Sequence, residues 1–287
     1  TTSNTVKANY INPGSWATGG NLNTARNNGG LAGCGTQTAA LAFAGYDPVA
    51  ITEQYNGSAW TEVNDMNTAR GYLSGAGASN TAALAFGGNL APGATTTATE
   101  TWNGTNWAAV NSLNTARSKL AGAGTNTAAL AFGGDPAPAG ETELWNGTNW
   151  TEVNDLNTAR RSLAGAGSNN TAALAFSGEV PGPTGATELW NGTNWTEVNN
   201  MNTARTQLAG CGTQTAALGF GGYAPGASAL TESWNGTNWT AVANAAVAIQ
   251  WLAGAGTNTS GLKIGGKNSN STEEFTAGPA TVTFDVS

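Results

Sequence analysis

The stretch Leu120-Ala-Gly-Ala-Gly-Thr-Asn-Thr-Ala-Ala-Leu-Ala-Phe-Gly-Gly134, resumed at Glu141-Thr-Glu-Leu-Trp-Asn-Gly-Thr-Asn-Trp-Thr-Glu-Val153, decides the fold. It contains four short β-like segments: Leu120 to Gly124, Thr127 to Phe132, Glu141 to Trp145 and Asn149 to Val153. Alternation, aromatic content and bounding Gly and Asn residues favour strands over helices. Asn146-Gly147, between the third and fourth segments, reads as a tight-hairpin dipeptide because both residues tolerate positive φ. The glycine-rich first segment suits a position where strands crowd together.

The same pattern recurs along the chain. The closing Trp of the Asn-Gly-Thr-Asn-Trp tract falls at Trp60, Trp107, Trp150, Trp195 and Trp239, with Trp16 belonging to the series. A second series runs Tyr55, Trp102, Trp145, Trp190, Trp234 and Phe275, and a third Phe43, Phe86, Phe132, Phe176, Phe220 and Ile264. Three series in step define six units of about 44 residues. Four strands at that period are the mark of a β-propeller blade. The expected fold is therefore all-β, a six-bladed propeller of four-stranded antiparallel blades. The chain enters at a fourth strand, around Trp16, and its last unit stops after a third strand near Phe275. The N-terminal strand is thus expected to complete the sixth blade and close the ring, removing exposed edges. This divides the chain into an N-terminal arm (1–14), the propeller (15–276) and a C-terminal arm or extra strand (277–287).

Met66-Asn-Thr-Ala-Arg70, a glycine-rich strand, Gly87-Gly88, Glu100-Thr-Trp102 and Trp107 together resemble a kelch repeat. The resemblance covers roughly residues 15–276 and implies the propeller. It departs from the pattern in two ways: the paired aromatics are five residues apart, and the units are near copies of one another. Near-identical kelch-like units rich in Asn, Thr, Gly and Ala, with phrases such as Leu-Asn-Thr-Ala-Arg and Thr-Ala-Ala-Leu-Ala-Phe, resemble virion proteins of marine tailed bacteriophages. Fold alone does not imply function.

Composition narrows the function. Only 9% of the 287 residues are charged, the formal net charge is −7, and histidine is absent. An acidic, charge-poor chain lacks the basic footprint that phosphate backbones require, so no nucleic-acid partner is expected. No apolar run reaches the roughly 18–20 residues of a membrane span, so no membrane insertion is expected. Without histidine the commonest general base and metal ligand are missing. Copper oxidases on kelch-type propellers use histidine ligands, and the aspartate-box repeats of sialidase propellers do not occur here. The expectation is a non-enzyme with no cofactor and no metal. The Asn-Gly-Ser/Thr tracts match an N-glycosylation pattern, but their hairpin role accounts for them. Cys34 and Cys211 are read as lying in units one and four, on opposite sides of the ring, too far apart for a disulfide and so buried as free thiols.

Two series of charges also keep step: Arg26, Arg70, Arg117, Arg160 and Arg205, with Ile249 at the sixth place, and Glu53, Glu100, Glu143, Glu188, Glu232 and Glu273. One role is an anion-gripping ring at the channel mouth. The other is structural, each arginine meeting a glutamate or loop carbonyls to hold blades together. Repetition in nearly every unit favours the structural role, since a ligand calls for asymmetry.

Asymmetry is found in the loops after the second strands (46–51, 89–98, 135–141, 179–186, 223–230 and 267–271) and in the residues after the arginines: Asn28, Tyr72, Lys119, Ser162, Gln207 and Trp251. In an antiparallel meander these segments share one face, and loops on a rigid scaffold are where binding resides. The candidate ligand-binding residues are Tyr46, Tyr72, Lys119, Tyr223 and Trp251. The expected protein is a virion structural or adhesion component of a tail, fibre or capsid surface. Its partners would be other virion proteins and a host-surface glycan, and a homo-oligomer within an assembly stays open. The alternative is a secreted or cell-surface bacterial propeller that binds carbohydrate or protein.

Overall fold

The computed structural model describes residues 4–11, 13–26, 30–91, 93–137 and 139–286. Among them there is no helix, and six four-stranded antiparallel sheets form the blades of a β-propeller. Blades one to five take their strands consecutively from residues 32–63, 74–110, 121–153, 164–198 and 209–241. Blade six is assembled from Ala253–Gly256, Ser260–Gly266, Ser269–Thr276 and, as its outer strand, the N-terminal Ser15–Thr18. Trp16 sits opposite Phe275 there, as Trp150 sits opposite Trp145 in blade three. The clasp expected from the two chain ends is present.

The repeated aromatics hold each blade to its neighbour. The indole N–H of Trp107 in blade two donates to the Thr52 hydroxyl in blade one at 3.0 Å. The same bond joins Trp150 to Thr99, Trp195 to Thr142 and Trp239 to Thr187. Trp60 reaches Thr272 in blade six, and Trp16 reaches Thr231 in blade five, so the six bonds run round the whole ring. Five of these Trp also pack on the Phe of the preceding blade, as Trp150 does on Phe86 with centroids 5.0 Å apart, while Trp60 shares a core cluster with Ile264 of blade six. A buried indole needs a partner for its N–H, and the threonine supplies one while the ring fills the inter-blade space. Nearer the axis the first strands approach so closely that a Cβ on Gly165 would lie 2.7 Å from the Gly122 carbonyl oxygen. Only glycine fits such a contact.

Several expectations change in the structure. The third and fourth strands are joined by a four-residue loop rather than a two-residue turn. Trp145 faces Trp150, Gly147 alone has positive φ, and the Asn146 side chain accepts from the amides of Thr148 and Asn149. Asn146 thus acts as an Asx-turn acceptor rather than as a left-handed residue. Cys211 belongs to blade five, not four. It is therefore two blades from Cys34 round the closed ring, with blade six between them, and both are buried free thiols. Burial pushes both thiols up to about 12.

The two arms pair with each other. Asn4–Ile11 lies antiparallel to Pro279–Val286 over eight residue pairs, from Asn4 opposite Val286 to Ile11 opposite Pro279. This two-stranded ribbon stands as its own sheet, separate from the six blades. The tail, expected from sequence to be an arm or an extra strand, is a strand paired with the head of the chain.

Candidate functional site

Immediately before each inner strand, one residue per blade is joined to the next by a backbone hydrogen bond. Tyr72 donates to the Gly30 carbonyl, Lys119 to Tyr72, Ser162 to Lys119, Gln207 to Ser162, Trp251 to Gln207 and Gly30 to Trp251, at 2.8–3.1 Å. The six bonds form a closed circle round the channel mouth. All six residues are left-handed: Gly30 has φ 70°, and the other five lie between 51° and 60°. A non-glycine residue in this region costs on the order of 1–3 kcal/mol and persists where its surroundings over-determine it. The circle does so, because each amide has a carbonyl waiting in the next blade. The blade-one member is Gly30 rather than Asn28, because two extra residues separate Arg26 from Leu31. Residues 27–29, including Asn28, lie outside those described.

Above this circle the side chains differ, and the mouth is divided in two. One half is aromatic: Tyr72 lies between Tyr46 and Trp251, with ring centroids 4.9 Å and 4.6 Å away. Gly30 makes this possible, since a Cβ there would come within 2.8 Å of the Tyr72 ring. The other half carries Lys119, Ser162 and Gln207 round a cavity of about 130 Å³, which Tyr72 and Trp251 also line. Burial pushes the Tyr72 phenol up to about 12, with Tyr46 and Asp47 adding to the effect.

Lys119 sits 5.7 Å from the Tyr72 ring centroid, close enough for a cation–π contact. Its ammonium pairs with Asp135 at 2.7 Å. Arg161 bridges the same Asp135 at 3.0 Å and Glu179 at 2.8 Å, tying the loops of blades three and four. Burial works against ionising Asp135, but hydrogen bonds from Lys119 and Arg161 outweigh it and hold the carboxyl below its ordinary value. The rim is therefore close to locally neutral. The Gln207 side-chain oxygen is buried and has no hydrogen-bond partner. Among the described residues, Tyr223 makes no aromatic contact with this cluster. It is 38% exposed and its backbone pairs with Thr206 and Ala227.

The arginines lie away from the mouth, buried between blades. Arg26, Arg70, Arg117, Arg160 and Arg205 pair with Glu53, Glu100, Glu143, Glu188 and Glu232 at 2.5–3.1 Å. Arg70 also donates to the carbonyls of Gly87 and Ala98, while Glu100 accepts from the Asn67 and Thr68 amides. Each pair thus fastens the loop between two blades to the later one. Burial pulls Arg26, Arg70, Arg160 and Arg205 below the ordinary guanidinium value, against the pull of the facing glutamates. In blade six the cation comes from Lys263, a second-strand residue opposite Glu273 and paired with it, while Ile249 fills the arginine's place. Sequence reasoning looked for the sixth cation only in the arginine column and so missed Lys263. Gly30 was missed as well. Ser162 and Gln207 were visible as variable positions without a stated role.

The second mouth, ringed by Gly33, Gly75, Gly122, Gly165, Gly210 and Gly254 and their neighbours, offers few functional side chains. Among the described residues no group of three or more Cys, Asp or Glu is placed to hold a metal ion. No protein-family model matches the chain, and comparison with curated proteins finds no similar sequence. The site's geometry therefore carries the functional argument.

Proposed function

We propose that this chain is a non-enzymatic recognition module, a kelch-like propeller on the surface of a tailed-phage virion, that presents its variable mouth to a host glycan. One observation carries the reading: in a ring whose Trp–Thr bonds repeat six-fold, large and polar side chains that differ from blade to blade gather at one mouth. Tyr46, Tyr72 and Trp251 stack on one side and Lys119, Ser162 and Gln207 stand on the other. Packing explains what repeats, and recognition explains what does not. The kelch reading is supported by the Asn-Thr-Ala-Arg loops, the double glycines and the paired aromatics. The virion reading is supported by the near-copy blades.

The paired arms favour a second contact, with a neighbouring virion protein. A two-stranded sheet has both edges open, and such edges accept added strands.

The test is binding of the purified, labelled protein to a bacterial glycan array and to intact marine bacterial cells. Saturable binding to either supports host recognition. Absence from both, together with affinity for particles that lack the protein, would transfer the role to virion assembly.

A further inference from the structure

We propose that the variable mouth is a socket for one terminal pyranose unit of a neutral saccharide, with the sugar's C–H face on Trp251 and Tyr72 and its hydroxyls toward Gln207, Ser162 and Lys119. This inference rests on the recognition reading above and specifies its ligand.

Shape is the first argument. The cavity lies on the axis, enclosed by residues of all six blades, and has a volume of about 130 Å³. Pockets for drug-sized ligands run from roughly 300 Å³ upward. A closed circle also offers no through-running groove for an extended peptide or the middle of a polysaccharide. It admits the end of a chain, one small ring deep.

The chemistry of the two halves is the second argument. A pyranose has an apolar C–H face and a rim of hydroxyls, and the mouth presents an aromatic half and a hydrogen-bonding half. Large rings with few rotatable bonds provide contact area at low entropic cost. The Gln207 side-chain oxygen is buried without a donor. A buried acceptor left unpaired loses its hydration without compensation and calls for an explanation. A sugar hydroxyl, or the N–H of an acetamido sugar, is a donor of suitable size.

Charge is the third. Lys119, the cation that lines the cavity, is paired with Asp135, and Arg161 beside it with Asp135 and Glu179. An acidic sugar would compete with Asp135 for Lys119 and add a like charge beside it, whereas a neutral one leaves the pair undisturbed.

The experiment titrates the full chain with methyl pyranosides of glucose, galactose, mannose, rhamnose, fucose, N-acetylglucosamine and N-acetylgalactosamine. Sialyl and glucuronyl glycosides are run beside them, with ligand-observed NMR and calorimetry as readouts. At least one neutral glycoside is expected to bind saturably. Trp251→Ala should weaken it at least tenfold and Gln207→Leu at least fivefold, while Trp251→Phe retains most of the affinity. Thermal melts of each variant identify any loss that is merely unfolding, and the Phe variant keeps the test valid if the Ala variant misfolds. Preference for the acidic glycosides would overturn the proposal, as would unchanged affinity in folded Trp251→Ala and Gln207→Leu proteins. If no glycoside binds while intact cells are still bound, the socket fails and the recognition reading survives. If neither binds, both fail.

Discussion

Lys263 faces Glu273 across two strands of blade six and pairs with it in the interior, in the one blade where isoleucine replaces the arginine. The cation has moved from the inter-blade loop to the second strand, and the glutamate has kept its partner. In the five other blades the residue opposite the glutamate is Ala or Gly (Ala42, Ala85, Ala131, Ala175 and Gly219). Positions 249 and 263 therefore differ as a matched pair. Removing one partner of a buried ion pair strands a charge and costs about 3–5 kcal/mol. Lys263→Ala should lower stability by about that amount in chemical denaturation. Adding Ile249→Arg to Lys263→Ala should recover part of the loss, because it rebuilds the arrangement of the other blades. No recovery would show that the two positions are independent.

The Trp–Thr circle predicts where the clasp is vulnerable. Replacing Trp150 with Ala removes a buried indole, its contact with Phe86 and its bond to Thr99. The expected loss is about 3–5 kcal/mol, as for other large aromatics. Thr99→Val keeps the volume and leaves the indole N–H unpaired, costing about 1–3 kcal/mol. Deleting residues 1–20 removes Trp16 with the outer strand of blade six and exposes an edge. That truncated protein should aggregate or melt far below its parent, which differential scanning calorimetry and light scattering would reveal.

Backbone geometry at the mouth makes a sharper prediction. Ser162 has φ 53° and donates its amide to Lys119. Ser162→Gly should leave the melting temperature nearly unchanged, since relief of the left-handed strain offsets glycine's greater freedom in the unfolded chain. Ser162→Pro should be severely destabilising, because proline fixes φ near −65° and has no amide hydrogen. Similar melts for the two variants would mean that the hydrogen-bond circle contributes little.

Tyr72 and Asp135 give the mouth two pH limits. The Tyr72 phenol is pushed up to about 12, so its stabilising contribution is complete below the ordinary tyrosine value of about 10 and is lost as pH rises from there through about 12. Asp135 is held below its ordinary value, so its contribution is present above roughly 3.9 and lost as pH falls further into the acid range. Ultraviolet titration of wild type minus Tyr72→Phe should show one phenol ionising near 12. Asp135→Asn should remove part of the acid-range loss of stability. A difference titration centred near 10 would place Tyr72 in water.

The propeller was legible in the sequence because inter-blade packing repeats, and each repeat leaves an aromatic at the same place. Trp16 and Phe275 announced the clasp for the same reason, being the unmatched halves of one hairpin. The matched Arg and Glu series foreshadowed buried pairs that the charge-poor composition made conspicuous. What stayed hidden depends on departures from the period. Two extra residues after Arg26 shift the blade-one register and conceal Gly30, and Lys263 replaces a cation from another strand. The hydrogen-bond circle is made of backbone, so side-chain identity barely records it. Pairing of the arms joins segments at opposite ends of the chain, and no local pattern relates Val6 to Phe284.

Cell binding by two variants, one altered at the variable mouth and one in an outer hairpin on the opposite face, tests host recognition most directly. In the first, Tyr72 and Trp251 become alanine at the variable mouth. In the second, Thr148→Ala alters an Asn-Gly-Thr-Asn hairpin on the opposite face. Wild type and Thr148→Ala are expected to bind intact marine bacterial cells saturably, and the folded double variant to lose that binding. Equal binding by all three proteins would contradict host recognition at the variable mouth.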